Sequence, residues 1–372
     1  GKHTDYGGGR SIVTTVERGF CILAVPREDN VVTIVAAGDR KRVEVQISPK
    51  IVLPESGWTN YPITVLRRMS RNFGELQGAD IAFISDLPQA AGLSSSSAFM
   101  ISIFLSIATR NNLFSSRLYK SNINTDLDLA AYLGTIENGQ NYGVLLGDRG
   151  VGTFGGSEDH TAIICSSPNK LSQFAYCPAR LEKQIELSSE FVFVLGFSGV
   201  TAEKTGTARA QYNRAALQVA SLVEIWQRST GGKENYLADI LRSTSDAYGR
   251  LIRAVSESNH SKFSEPELLT RLQHFIIEDQ EIIDPASNAL GSGDICSFGA
   301  IVDRSQKDGA DILGNQIPET ISLARLARKS GAYAASSFGA GFGGSVWALV
   351  DKKDAERFID TWRQAYSILH PD

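Results

Sequence analysis

The alternation of apolar and polar positions divides the first half of the chain into strands followed by helices. Apolar residues at every second position predict strands at Gly19–Val25, Val31–Ala36, Val43–Ser48 and Ala79–Ser85. Helical spacing predicts helices over Tyr61–Phe73, Ser94–Ala108 and Leu127–Gly139. A glycine-rich loop, Gly147–Gly156, then precedes a predicted strand pair at Ala162–Ser166 and Leu171–Ala175.

The second half is richer in helix. It begins with the predicted strand Phe191–Phe197 and continues with helices near Thr205–Thr230, Tyr236–Asn259, Glu265–Ile282 and Gly293–Ser305. A glycine cluster, a strand at Ser345–Val350 and a helix at Lys353–Ser367 end the chain. The order indicates an α+β fold rather than regular βαβ alternation. A length of 372 residues accommodates two domains, which we expect at 1–185 and 186–372.

Composition narrows the class of protein. Hydrophobic residues make up 42% and charged residues 21%, and the net charge of −4 comes without a basic stripe, so we expect no nucleic-acid partner. The longest apolar stretch, Phe99–Ala108, is too short to cross a bilayer. The four cysteines are scattered singly, which predicts buried thiols in a reducing cytoplasm. No signal peptide is evident, and because the chain opens at Gly1 without methionine, we expect a further strand upstream.

The strongest local signal for chemistry is the segment Pro88–Ala98, Pro-Gln-Ala-Ala-Gly-Leu-Ser-Ser-Ser-Ser-Ala. A turn of small residues leads directly into an apolar helix, so hydroxyls and backbone N–H groups gather at the positive end of that helix, where anions bind well. The segment lacks the lysine of a Walker A loop. One serine suffices for an N-cap without a ligand; four in a row favour a phosphate cradle.

Two further glycine clusters, Gly339–Gly344 and Gly150–Gly155, match the pattern G-x-G-x-x-G. Neither fits a dinucleotide fold, because that fingerprint opens a helix. Gly344 instead precedes a predicted strand, and Gly155 precedes an acidic segment. The Gly339–Gly344 cluster is either a tight turn or a backbone that approaches the phosphates or the cradle closely.

Several carboxylates are candidates for a kinase-like role, which requires charge neutralisation and a group that orients the attacking hydroxyl. Asp159 follows the glycine-rich loop and is predicted to precede a strand, so only one of Glu158 and Asp159 would face a site. Glu137 ends a predicted helix. Each of these side chains alone could equally be a solvated surface charge. The opening segment Gly1–Gly9 places polar groups beside three glycines, which suits sugar hydroxyls or a plain polar turn; a metal pair at His3 and Asp5 is disfavoured.

With these motifs in order, the chain resembles the GHMP kinase superfamily and, within it, the galactokinases. His3-Thr-Asp-Tyr with Gly8-Gly9 resembles the galactokinase signature, Pro88–Ala98 the second motif and Gly339–Gly344 the third. Weaker matches lie at Trp58–Tyr61, Tyr212–Arg214 and Ser292–Gly299. The resemblance implies a two-domain α+β fold: an N-terminal domain like ribosomal S5 domain 2, a ferredoxin-like C-terminal domain, and an active site in the cleft between them.

The resemblance also implies roles for individual residues. Asp159 would be the catalytic residue that faces the anomeric hydroxyl of a sugar. The sugar would contact Lys2, His3, Asp5, Tyr212, Gly155 and Gly156. ATP would bind at Trp58, Pro88, Gly92, Leu93, Ser94, Ser95, Ser96, Ser97, Gly341 and Gly343. Ser96 and Glu137 would hold Mg²⁺. The partners are therefore expected to be a small sugar and ATP, in a cytoplasmic protein that is a monomer or a weak homo-oligomer.

Four departures from the family pattern leave the substrate open. Lys2 stands where galactokinases carry glutamate, Ala90 replaces the first glycine of the second motif, and the stretch from Glu137 to Asp159 is longer than usual. The arginine that the family places just upstream of the opening motif is absent from this sequence. Galactose is the expected acceptor. Lys2 raises the alternative of a uronic acid such as galacturonate, although a lysine turned to solvent or to a phosphate fits this position at least as well. An arabinose or heptose kinase, or a non-catalytic sugar sensor, also fits the motifs.

Overall fold

The structure is a computed structural model, which describes residues 1–88, 91–202, 206–258 and 262–371. Ala90, one of the departures above, lies outside these residues. The chain forms two compact units. Unit 1 comprises Gly1–Thr14, Ala90–Leu93 and Ser167–Asp372, and unit 2 comprises Thr15–Gln89 and Ser94–Ser166. The predicted division at 185/186 falls inside a strand of unit 1.

The strands in chain order are β1 Arg10–Val13, β2 Phe20–Pro26, β3 Val31–Ala36, β4 Lys41–Gln46, β5 Ala79–Ser85, β6 Lys170–Ala175, β7 Arg180–Glu186, β8 Phe191–Phe197, β9 Ala334–Ser337 and β10 Ser345–Asp351. The helices are α1 Asn60–Phe73, α2 Ser95–Arg110, α3 Arg117–Lys120, α4 Asp126–Asn138, α5 Glu158–Cys165, α6 Gly206–Thr230, α7 Leu237–Ser243, α8 Ala247–Glu257, α9 Glu265–Ile276, α10 Asp284–Gly291, α11 Ile295–Asp308, α12 Pro318–Lys329 and α13 Ala355–Leu369. Shorter 3-10 segments lie at Asp5–Gly7, Leu113–Ser115 and Lys352–Asp354, and π-helical segments at Ile277–Ile283 and Gly309–Leu313.

Unit 2 is one mixed sheet covered by helices. Its strand order is β2-β5-β3-β4, in which β3 and β5 are parallel and the other pairs antiparallel. The alternating residues Val32, Ile34 and Ile81 are almost fully buried and pack against the apolar sides of α1, α2 and α4. Their burial follows from the two-residue period of a strand, which places every second side chain on one face. The sheet and helices therefore share one core.

Unit 1 contains two three-stranded sheets, ordered β1-β6-β7 and β8-β10-β9, both antiparallel. The pairing of β1 with β6 explains why the first fourteen residues belong to this unit. A helical core forms where α6, α7, α8 and α9 pack around Trp226 and Phe275. A second core forms where α12 and α13 cover the β8-β10-β9 sheet.

Three predicted elements differ from the structure. The predicted strand Ala162–Ser166 is the helix α5, because Glu158 and Asp159 stabilise a helix N-terminus and the β-branched Ile163 and Ile164 pack against the unit 2 core. The predicted helix Tyr236–Asn259 is two helices, α7 and α8, because the chain is extended at Thr244. The Thr244 hydroxyl donates a hydrogen bond to Asp246, and such local bonds compete with the helix. The helix Glu265–Ile282 changes to π-helical form at Ile277.

The cysteine prediction was correct for pairing and wrong for burial. All four cysteines are free thiols, but Cys21 and Cys296 are exposed and Cys165 and Cys177 are partly buried. Cys21 is exposed because it lies on the face of β2 that points away from the unit 2 core. Burial, together with the nearby Asp5 carboxylate, raises the pKa of the Cys177 thiol to about 12, so this cysteine stays protonated at neutral pH.

Within the described ranges, no helix is long and apolar enough to span a membrane.

Candidate active site

The serine-rich segment starts α2 in unit 2 without using its serines as caps. Ser94 occupies the N-cap position in the left-handed region, at φ 54°, and makes no side-chain capping hydrogen bond. The Ser95 hydroxyl turns back to the Pro88 carbonyl at 3.5 Å. The first N–H groups of a helix have no intrahelical acceptor, and Ser94 does not cap those of α2. The start of α2 therefore has the donors that the predicted anion cradle requires, and the cradle itself stays a prediction.

Glu137 connects the three helices that lie behind this cradle. Its carboxylate is buried near the C-terminus of α4 and accepts a hydrogen bond from the Ser97 hydroxyl of α2 at 3.1 Å. His160 Nε2 of α5 lies 3.7 Å from the same carboxylate oxygen. The described contact of Glu137 is thus with Ser97, a predicted ATP contact, and the assignment of Ser96 and Glu137 to Mg²⁺ stays a prediction. His160 was not a predicted site residue, although it follows Asp159 directly.

Asp159 lies in the first turn of α5, next to His160, and is partly exposed. The prediction that it precedes a strand was wrong, so Glu158 and Asp159 point about 100° apart around a helix instead of to opposite faces. The loop before α5 contacts α4, because the Gly155 carbonyl accepts a hydrogen bond from the Asn138 side-chain amide at 2.8 Å. A side chain on Gly134 would lie 3.3 Å from the Gly156 carbonyl. Gly155, Gly156 and Asp159 are therefore held beside the Glu137 end of α4.

Trp58 belongs to an aromatic cluster in the same unit. Its ring centroid lies 5.9 Å from that of Phe83 and 6.2 Å from that of Phe99, and Phe20 stacks on Phe99. Phe99 is one turn along α2 from Ser95. Trp58 is partly exposed, and its ring lies against the buried Phe99 of the helix that starts with the serines.

In unit 1, the opening motif is buried. Lys2, His3 and Asp5 are each less than a tenth exposed. The Lys2 ammonium donates to Ser305 at 2.9 Å and to Ser336 at 2.8 Å, and its backbone N–H donates to Glu278 at 3.0 Å. Burial lowers the pKa of the Lys2 ammonium, and the carboxylates of Glu278 and Asp308 partly offset that shift. These contacts argue against the uronate hypothesis, since the ammonium is engaged inside the unit.

His3 joins the opening motif to the third motif. Its Nε2 lies 2.9 Å from the Ala340 carbonyl and its Nδ1 3.1 Å from the Tyr6 hydroxyl. The Tyr212 ring of α6 packs against the imidazole, with ring centroids 5.2 Å apart. His3 and Tyr212, two predicted sugar contacts, are thus in one cluster, and Asp5 begins the adjacent 3-10 turn.

The glycines of the third motif allow close backbone contacts. A side chain on Gly341 would lie 2.2 Å from the Asn315 carbonyl oxygen, and one on Gly343 2.8 Å from that of Val200. A side chain on Gly339 would lie 3.1 Å from the Gly92 carbonyl oxygen. The described part of the second motif in unit 1, Ala91–Leu93, therefore lies against the third motif, which agrees with the second of the two alternatives for the Gly339–Gly344 cluster, a backbone close to the cradle.

In the part of the chain that the structure describes, each of the three motifs holds one non-glycine residue in the left-handed region: His3 at φ 59°, Ser94 at 54° and Phe342 at 59°. Such residues cost roughly 1–3 kcal/mol each and cluster at functional sites. Among the described residues, no group of three or more His, Cys, Asp or Glu side chains is placed to hold a metal ion. Arg271, Glu278 and Asn315 were missed as supporting residues because their partners are distant in sequence.

Two family models and several known proteins match this chain. A family model described as the GHMP kinases N-terminal domain matches residues 60–148, and one described as GHMP kinases C terminal matches 286–368. The galactokinase of Roseiflexus sp. (strain RS-1) is 27% identical over 98% of this chain and 84% of its own length. That of Enterococcus faecalis (strain ATCC 700802 / V583) is 26% identical over 98% and 86%.

Solved structures share the fold. Lactococcus lactis galactokinase complexed with galactose matches with a TM-score of 0.78 at 22% identity, over 99% of this chain and 87% of that one. The mevalonate kinase of Methanococcus jannaschii matches with a TM-score of 0.53 at 12% identity, over 97% and 91%. At these identities the structural likeness establishes the two-domain α+β fold.

Proposed function

This chain is a galactokinase-like member of the GHMP kinase superfamily, and from that premise we propose that it transfers the γ-phosphoryl group of ATP to the anomeric hydroxyl of a monosaccharide. Galactose is the first expected acceptor, because the similar proteins are galactokinases. The observation that carries the proposal is the cluster of Ser97, Glu137 and His160 behind the uncapped start of α2, with Asp159 next along α5.

Phosphoryl transfer depends mainly on position and charge. We expect the serine-rich helix start to bind the phosphates of ATP through backbone N–H groups and hydroxyls. Gly341 and Gly343 would keep the third motif close to Gly92, and Trp58 would contact the adenine. His3, Asp5 and Tyr212 are the expected sugar contacts in unit 1.

Asp159 is the proposed catalytic residue. In this role its carboxylate orients the anomeric hydroxyl and accepts its proton as the sugar oxygen bonds to the γ-phosphorus, while the bond from that phosphorus to the β–γ bridging oxygen breaks and ADP leaves. Mg²⁺ is commonly held by one or two carboxylates together with phosphate oxygens, and the buried Glu137 carboxylate beside serine hydroxyls matches such a donor set. Ser96 and Glu137 are the residues that would hold the ion, and the chemistry it would supply is neutralisation of phosphate charge.

The first test is Asp159→Asn, with Glu158→Gln as the matched control one residue away in the same helical turn. We expect Asp159→Asn to lower kcat about 10²- to 10⁴-fold while calorimetry shows unchanged binding of an ATP analogue and of galactose. Glu158→Gln should keep most of the activity. Retained turnover in Asp159→Asn would remove this carboxylate from the mechanism.

A substrate panel tests the acceptor. Galactose, arabinose, a heptose and galacturonate are compared by kcat/KM in a coupled ADP assay, with Asp159→Asn as the blank. We expect galactose to be preferred, and galacturonate to be disfavoured because the Lys2 ammonium is hydrogen-bonded to Ser305 and Ser336. A preference for galacturonate would restore the uronate hypothesis, and binding of ATP and sugar without ADP release would favour the sensor.

A further inference from the structure

Four residues of unit 1 form a hydrogen-bonded series behind the opening motif: Arg271, Tyr6, His3 and Ala340. Arg271 Nη2 donates to the Tyr6 hydroxyl at 3.1 Å. The Tyr6 hydroxyl lies 3.1 Å from His3 Nδ1, and His3 Nε2 lies 2.9 Å from the Ala340 carbonyl oxygen. We call this series the His3 relay. It begins on α9 and ends inside the third motif.

The chemistry of the two ends limits the directions of these hydrogen bonds. A carbonyl oxygen only accepts, so His3 Nε2 must carry the proton that it shares with Ala340. A guanidinium only donates, so the Tyr6 hydroxyl accepts from Arg271. In a neutral imidazole Nδ1 accepts from the Tyr6 hydroxyl, whereas in an imidazolium Nδ1 donates to the same hydroxyl, which can accept twice. The hydrogen bonds therefore exclude the neutral Nδ1–H tautomer of His3.

Arg271 anchors the series. It is 3% exposed and also donates to the backbone carbonyl of His3, to the Ala215 carbonyl at 3.3 Å and to His274 Nδ1 at 3.2 Å. All of these acceptors are neutral. No described carboxylate pairs with Arg271, and a buried guanidinium without such a partner is costly, but its donors have fixed directions. Here they hold the left-handed backbone of His3 and the helix α6 that carries Tyr212.

We propose that His3 is a positioning residue: as the Nε2–H tautomer set by Tyr6 and Arg271, it holds the third-motif backbone at Ala340 against the opening motif. Gly339, the residue before Ala340, lies against Gly92 of the second motif. Loss of the relay should therefore weaken the binding of ATP first. This consequence rests on the proposed function, whereas the tautomer itself does not.

The direct test is the tautomer. Long-range ¹H–¹⁵N correlation of the imidazoles distinguishes Nε2–H, Nδ1–H and charged rings, and the chain has only five histidines, so a His3→Gln spectrum identifies the His3 signals. We expect pure Nε2–H for His3 at pH 7.5, and a mixture of tautomers in Tyr6→Phe. A His3 ring that is Nδ1–H or charged in the unaltered chain would overturn the relay, whether or not the protein is a sugar kinase.

The second test measures the Kd of the ATP analogue AMP-PNP, with Mg²⁺, by calorimetry. Tyr6→Phe should raise it about fivefold, which corresponds to the loss of one hydrogen bond, while Tyr248→Phe, at an exposed tyrosine of α8, should leave it unchanged. His3→Gln should stay within about twofold of the unaltered chain, because glutamine can accept from Tyr6 and donate to Ala340, and His3→Leu should not. An unchanged Kd in Tyr6→Phe and His3→Leu would overturn the positioning role.

Absence of AMP-PNP binding by the unaltered chain would instead contradict the proposed function, and the tautomer measurement would then decide the relay alone. Thermal unfolding of each variant separates these outcomes from misfolding. If Tyr6→Phe fails to fold, the comparison of His3→Gln with His3→Leu takes its place.

Discussion

At the scale of single residues, the surroundings of Lys2 differ from those expected of a sugar contact. The Lys2 ammonium donates hydrogen bonds to the hydroxyls of Ser305 and Ser336, and the Ser305 hydroxyl in turn donates to both carboxylate oxygens of Glu278. The stem of Lys2 passes over Gly309, where a side chain would come within 3.0 Å of it. The cation is thus part of a buried polar network, and such networks are sensitive to the loss or reversal of one charge.

We expect Lys2→Glu to destabilise the protein severely. The substitution restores the residue type found in galactokinases, but in this chain it would bury a carboxylate beside Glu278. An uncompensated buried charge costs about 3–5 kcal/mol, which urea denaturation would measure as a lower free energy of unfolding.

The control is the charge reversal, Lys2→Glu with Glu278→Lys in one chain, which should recover much of the lost free energy. Lys2→Met, which keeps the apolar stem, should cost less than Lys2→Glu. A Lys2→Glu variant as stable as the unaltered chain would contradict the network.

The contacts of Lys2 could not be predicted from the sequence. Its partners Glu278, Ser305 and Ser336 lie 276, 303 and 334 residues away along the chain, and no local pattern records such pairs. Glu137 was easier to find, because a carboxylate at the end of an apolar helix is visible in the periodicity. Its contact with Ser97 was not predicted, since which of four consecutive serines turns inward depends on the helix start.

At the scale of elements, the third motif is a turn defined by backbone contacts. The Phe342 N–H donates to the Asn315 carbonyl at 2.7 Å and the Gly344 N–H to that of Val200 at 2.8 Å. Gly341 and Gly343 have φ values of 82° and 133°, which L-residues with side chains rarely adopt. Conformation and space therefore both require glycine here.

A comparison of Gly314 with Gly341 separates the requirement for positive φ from the requirement for space. Gly314 also has positive φ, 71°, but a methyl group added there would meet no atom within 4 Å, whereas the methyl of Gly341→Ala would overlap the Asn315 carbonyl oxygen. We expect Gly314→Ala to cost about 1 kcal/mol of unfolding free energy from backbone strain. Gly341→Ala should cost clearly more and also raise the KM for ATP. Equal losses in the two variants would show that contact with Asn315 is unimportant.

The prediction of helices and strands succeeded where the hydrophobic periodicity was unbroken. It failed where tertiary packing determined the secondary structure. The bounds of β5 and α1 follow closely from spacing alone. The run Ala162–Ser166 looked like a strand because of its β-branched residues, yet it is part of α5, which packs against α4 and the unit 2 core. Strand β1 was not predicted, because its four residues are recognisable only through their pairing with β6.

At the scale of the whole molecule, the order of the three motifs was enough to predict the family and the two-domain α+β class. It could not predict that the compact units are built from discontinuous segments, because residues before Thr15 join unit 1 through the β1–β6 pairing. Chain order locates motifs, whereas strand pairing decides which unit each segment joins.

The pH dependence of stability is a property of the whole chain to which one buried residue should contribute strongly. His274 is fully buried, its Nδ1 faces Arg271, and its Nε2 has no hydrogen-bond partner among the described residues. Burial, and then the charge of Arg271, lower the pKa of His274 well below its ordinary value of 6.5. The native state therefore keeps this imidazole neutral at pH values where the unfolded chain takes up a proton.

The sign of the effect follows from this difference. Above pH 6.5 neither state is protonated at His274, and stability from this residue is fully present. As the pH falls below 6.5, only the unfolded state gains the proton, so the free energy of unfolding should decrease by about 1.4 kcal/mol per pH unit until the native pKa is reached. Urea denaturation at pH 7.5, 6.5 and 5.5 would measure this slope, and His274→Gln should reduce it by the contribution of one proton. Identical slopes in the two proteins would mean that His274 is protonated alike in the folded and unfolded chains.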